Sequence, residues 1–166
     1  MRGSPLILLA ALGMLCAMGS PTPNDLEAMR TGKSPARKRA QAEIVVQRSS
    51  AEPYDQTGGP TLAEVRLDEV FSGDIHGESP VRALQILRDD KSASLVSVQR
   101  FRGELGGRKG TFVLQGSELV EHGKIRATWF VVPGSGTDEL SGLRGEGGFE
   151  GEFGKSSVGT LDYWFE

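Results

Sequence analysis

Leu62 to Gly73 reads "LAEVRLDEVFSG". Ala63, Val65, Leu67 and Phe71 fall in one phase of a two-residue period, and Glu64, Arg66 and Asp68 fall in the other. That period places the first set on one face of an extended strand and the second set on the opposite face. Similar runs recur along the chain. "EIVVQRS" begins at Glu43 and is followed by the turn-rich "AEPYDQTGGP". Downstream come "PVRALQILRD", "ASLVSVQRF", "TFVLQGSELV", "IRATWFVV" and the terminal "VGTLDYWFE". The turns "RDDKS", "GELGGRKG" and "EHGK" separate them. No window of a dozen residues holds a helical period. About eight strands are predicted between Glu43 and Glu166, most joined by short turns. Such strands pair with their neighbours as an antiparallel meander. Without helices to cover it, the sheet must bury one face against itself, and closure also removes its edges. The expected fold is all-β: an eight-stranded antiparallel meander barrel, lipocalin-like in appearance. Eight strands leave an interior for packed side chains or one small ligand.

The start of the chain is different. "MRGSPLILLAALGMLCAMGS" has a charged start, an apolar run from Leu6 to Met18 and small residues at Ala17 and Gly19. It reads as a signal peptide, residues 1–19, with a run too short to span a bilayer. Residues 20–42 are rich in Pro, Ser, Ala and charge and read as a disordered basic linker. The barrel domain is expected at 43–166. These boundaries imply a secreted or periplasmic protein. The basic "MRTGKSPARKRAQ" opposes translocation, and a true start at Met29 would instead give a cytoplasmic one. The first 40 residues carry six basic and two acidic side chains, a net of +4, which leaves −7 of the overall −3 for the remainder. An acidic domain argues against nucleic acid as a partner. The single cysteine, Cys16, leaves with the leader. The two histidines, His76 and His122, lie in different segments, so no metal is expected.

"PGSGTDELSGLRGEGGFEG", Pro133 to Gly151, holds seven glycines in nineteen residues. A dinucleotide fingerprint fails there because Glu139 stands in the place of the third glycine, and a P-loop ending at "GKS" fails at Phe149. The glycines read instead as a barrel corner needing positive φ or close backbone approach. A short helical turn is expected over 137–143, and a bulge where "LRGEGGFE" enters the seventh strand.

Four segments carry a resemblance: "PYDQTGGPTLAEVRLDEVFSGDIHGES", "FRGELGGRKGTFVLQ", "RATWFVVPGSGTDELSGLRGEGGFEG" and "TLDYWFE". Together they resemble the bacterial domain-of-unknown-function family 3224, from about Glu43 to Glu166. Members of that family look like the allene oxide cyclase barrel. Its plant relatives include a cyclase and the dirigent proteins, which use no metal or organic cofactor and assemble as trimers. The resemblance therefore implies a cofactor-free barrel and carries no function of its own.

Six residues are candidates for a ligand site. Glu146, between two glycines and beside Arg144, either points into the barrel mouth, where burial would raise its pKa, or stays exposed or Arg-paired. It is the one catalytic candidate. Gln115 shares a face with Val113 and either meets a ligand inside or bonds to backbone. Tyr54 and His76 lie in or near turns that could rim an opening. Trp129 is in phase with Ile125, Ala127 and Val131, while Phe130 faces the other way with Thr128 and Val132. Apolar bulk on both faces, repeated in Tyr163–Phe165, predicts self-association into a homo-oligomer. The expected function is binding of a small apolar molecule or a protein partner by an exported barrel without catalysis. The alternative is a cofactor-free isomerase or cyclase acting in the cavity.

Overall fold

The computed structural model describes residues 35–166. The expected leader and residues 20–34 of the linker lie outside the described residues. Eight strands follow one another: β1 (Lys38–Asp55), β2 (Thr61–Gly73), β3 (Ile75–Leu87), β4 (Ala93–Leu105), β5 (Arg108–Glu121), β6 (Lys124–Val131), β7 (Leu143–Glu152) and β8 (Ser157–Phe165). Each pairs antiparallel with the next, and β8 returns to β1, closing the meander barrel that the strand pattern predicts.

The closing seam runs from Lys38 opposite Tyr163 to Ile44 opposite Ser157. The first strand therefore starts five residues before Glu43, within the stretch read as linker. Only Ala40 and Ala42 turn inward there, and two methyl groups among basic residues leave too little apolar signal to mark a strand. At its other end β1 runs on through "AEPYD", read as part of a turn, into a long hairpin with β2. The pairing of that hairpin shifts register at Val46/Arg48 and at Pro53/Asp55.

One half of the interior is a dry aromatic plug. Phe101 is fully buried, edge-on to Phe71 at 5.6 Å and tilted against Phe112 at 4.8 Å, and Trp129 lies 6.3 Å from Phe71. Leu105, Leu140 and Leu143 complete the cluster at that end.

Leu140 comes from the Gly-rich connection between β6 and β7. β6 pairs with β5 only from Leu114 to Glu121, so the first residues of β5 need other partners. The connection supplies them. Ser135 Oγ accepts from the Val113 amide at 3.0 Å, Thr137 Oγ1 from the Thr111 amide at 3.0 Å, and Glu139 from the Lys109 amide at 2.8 Å. A short 3₁₀ turn, Asp138–Leu140, then drops Leu140 into the core. This turn falls within the span where a helical turn is expected. The expected bulge is absent, because β7 pairs without a register shift on both sides. Gly147 and Gly148 explain the glycines instead: a Cβ on the first would lie 2.0 Å from the Thr160 carbonyl oxygen, and on the second 2.0 Å from that of Ala127. The sheet curves too tightly there for any side chain.

Phe101→Ala is expected to destabilise the chain by about 3–5 kcal/mol, since the plug cannot collapse onto the space left. Urea unfolding measures it. A loss under about 1 kcal/mol would show that the aromatic cluster is not the core.

Candidate functional site

The other half of the barrel is hollow. Along β2 the residue in phase with Ala63, Val65, Leu67 and Phe71 is Glu69, and its side chain enters the barrel with 6% exposure. Along β5, Glu118 is in phase with Phe112, Leu114 and Val120 and turns inward as well. β4 adds Ser97 and Gln99, and β3 adds Ser79 beside Glu69 in the β2–β3 register. These side chains form a polar belt at the edge of the plug. Beyond it lies a cavity of about 430 Å³, walled by Ile44, Leu67, Val81, Leu95, Ile125 and Phe149 and bordered by the β7–β8 turn from Glu152 to Ser157. Its volume lies within the range of small-molecule sites.

The belt is electrostatically unusual. The Ser97 hydroxyl donates to Glu118 Oε1 at 2.5 Å. Glu69 Oε2, Glu118 Oε2, Gln99 Oε1 and Ser79 Oγ are buried and have no protein partner. Burial pushes the Glu69 carboxyl up to about 7, and the nearby Glu118 charge adds to the effect. Burial also raises Glu118, while its hydrogen bond from Ser97 pulls the other way. The Ser97 hydroxyl favours the ionised form of Glu118, and a charge on Glu118 helps Glu69 to keep its proton.

None of the six residues singled out from the sequence lines this cavity. Glu146 sits on the outer wall, where Arg37 Nη1 donates to its Oε1 at 2.6 Å. Arg144 pairs with Glu166 at 2.7 Å and not with Glu146. Gln115 is exposed on the outside, opposite Val98 and Phe130. Trp129 turns inward at 5% exposure, donates from Nε1 to the Thr160 carbonyl at 3.1 Å and lies tilted against Phe149 at 5.3 Å, so it backs the cavity wall. Tyr54, 60% exposed, lies near the tip of the β1–β2 hairpin, and exposed His76 follows Ile75 at the plugged end. Gln115, Glu146 and Trp129 do border one shallow outer groove, with Phe130 and Asp162. Among the described residues no three His, Cys, Asp or Glu side chains gather as a metal requires, and no helix is long and apolar enough to cross a membrane.

The acids of the belt were nonetheless visible in the sequence. Glu69 is the charged residue in phase with the apolar set of "LAEVRLDEVFSG", and Glu118 is in phase with the apolar set of "TFVLQGSELV".

The family model described as "Protein of unknown function (DUF3224)" matches residues 40–166. Among solved structures, the chain is similar to a protein of unknown function from the DUF3224 family of Shewanella oneidensis MR-1. The two share 30% identity with a TM-score of 0.68, over 79% of this chain and 98% of the other. No curated protein matches.

Glu69 holds its proton in the folded chain up to about pH 7, whereas its ordinary value is 4.5. Between these values the folded state binds the extra proton, so stability falls as pH rises through that window, by about 3 kcal/mol for this one group. Urea unfolding at pH 5 and pH 8 measures the fall, and Glu69→Gln is expected to flatten it. An unchanged pH dependence in the variant would contradict the burial of this carboxyl.

Proposed function

The chain belongs to the DUF3224 family, a family of unknown function, and from that premise we propose that its barrel binds a small, largely apolar molecule in the interior cavity. The carrying observation is the 430 Å³ space itself, apolar in its walls and edged by a few buried polar groups without protein partners. That combination suits a ligand whose body is held by burial and whose orientation is set by few polar contacts. Val46 borders the cavity and is 45% exposed, so a larger side chain there can obstruct entry without disturbing the plug. The neutral fluorophore N-phenyl-1-naphthylamine is expected to bind saturably, and Val46→Trp to weaken it by about tenfold or more, roughly 1.4 kcal/mol. No saturable binding to the folded wild-type chain would overturn the reading.

A second reading, a cofactor-free isomerase or cyclase, is favoured by one observation. A carboxyl near 7 inside an apolar cavity can both give and take a proton at neutral pH. Glu69 would be the acid–base group, in place of the exposed Glu146. If a converted substrate is found, Glu69→Gln is expected to lower its turnover by about 100-fold with binding retained.

Self-association is proposed as well, and of the aromatic residues singled out for it from the sequence Phe130 is the exposed one. Trp129 faces the interior, and Trp164 lies under the Arg37 guanidinium at 4.2 Å. An exposed apolar band is formed by Leu84, Val96 and Val98 on β3 and β4, with Leu84 opposite Val96, and Gln115 of β5 stands between Val98 and the exposed Phe130 of β6. Its occupant would be the same band of a second copy. Light scattering on the purified chain tests it, and a monomer at high micromolar concentration rejects it. Export is proposed from the leader sequence, and sequencing the mature N-terminus checks it.

A further inference from the structure

Resting on the reading of the cavity as a ligand site, we propose that it selects an apolar molecule with a cationic, donor-rich head, a primary ammonium or a similar group. Glu69 Oε2, Glu118 Oε2 and Gln99 Oε1 are buried without partners, and all three are acceptors when the carboxyls are ionised. Gln99 is 5% exposed, Glu69 is 6% exposed, and both border the cavity together with Glu118. Among the described residues no cation pairs with them. Lys155, at the rim, pairs with Glu152 at 2.5 Å.

A buried acceptor left unpaired is costly, and the cost is relieved by whatever brings donors in. An ammonium head carries three donors and a positive charge, matching three acceptors and two carboxyls. An alcohol brings one donor. A carboxylate adds a further negative charge to a space that already disfavours two.

The same geometry makes binding pH-dependent. The charged group facing Glu69 across the interior is Glu118 of β5. The flanking β1 and β3 present Ile44, Ser79 and Val81, and β4 presents Ser97 and Gln99, all uncharged. Glu152 and Lys155 at the rim hold each other. Glu69 loses its proton at about pH 7, while an alkylamine keeps its own to about pH 10.

Calorimetric titration of the full chain with octylamine, octanol and octanoate tests the proposal. At pH 8 octylammonium is expected to bind about tenfold or more tightly than octanol, and octanoate most weakly. The octylammonium affinity is expected to rise from pH 6 to pH 8, with octanol unaffected. Glu69→Gln and Glu118→Gln, which keep shape and remove charge, are expected to bring amine and alcohol to near-equal affinity. If the three bind equally, or octanoate binds best, while N-phenyl-1-naphthylamine still enters, the cationic preference is overturned and the ligand cavity stands. If neither the alkyl probes nor the fluorophore binds, both readings fall.

Discussion

The seam between β1 and β8 is the constraint on which the rest depends. Without it the chain is an open eight-stranded sheet with two unpaired edges and no inside. On its inner side the seam sets at least one small residue in each of three pairs, Ala40 opposite Leu161, Ala42 opposite Gly159 and Ile44 opposite Ser157. Their smallness is a packing requirement. A Cβ on Gly159 would lie 2.7 Å from Ile44 Cδ1 and 3.0 Å from the Trp129 ring. The indole therefore crosses the interior into room that the seam leaves open, and from there meets Phe71 and Phe149. Hydrogen bonding closes the wall, and small side chains let the largest one fill the space behind it.

Closure also divides the interior into two environments. The plug of Phe71, Phe101, Phe112 and the leucines around Leu140 supplies the apolar burial that a small domain needs. The hollow half carries two carboxyls, a glutamine and serines that contribute little to stability and leave acceptors unpaired. A core selected for stability alone would replace them with apolar residues.

The architecture was legible from period and turn spacing, because each strand needed only its alternation and a boundary. The site was less legible. In "LAEVRLDEVFSG" the apolar positions define the inner face, and Glu69 falls on that face although its chemistry suggests water. On β5 the difficulty was deciding which face is inside. Val113 and Gln115 share one side, but that side is the outer one, and Val113 is only part-buried there, where the Gly-rich connection crosses β5. Glu146 and Arg144 were adjacent in sequence and chemically complementary, yet each found a partner more distant along the chain: Arg37 for Glu146 and Glu166 for Arg144. Phase predicted position better than chemical character did, and long-range ion pairs left no local signal.

The order of the strands has a consequence during synthesis. Seven of the eight pairings join sequence neighbours, whereas the seam joins the first strand to the last, with residues such as Arg39 and Asp162 separated by 123 positions. Hairpins can form as the chain emerges, but the ring cannot shut until β8 has left the ribosome. Until then the outer edges of β1 and β7 stay unpaired and the phenylalanines of the plug face water, the exposure that favours aggregation of nascent β-proteins. The charged side chains spaced along the outside of β1, among them Arg39, Glu43 and Arg48, guard that open edge while it waits for its partner.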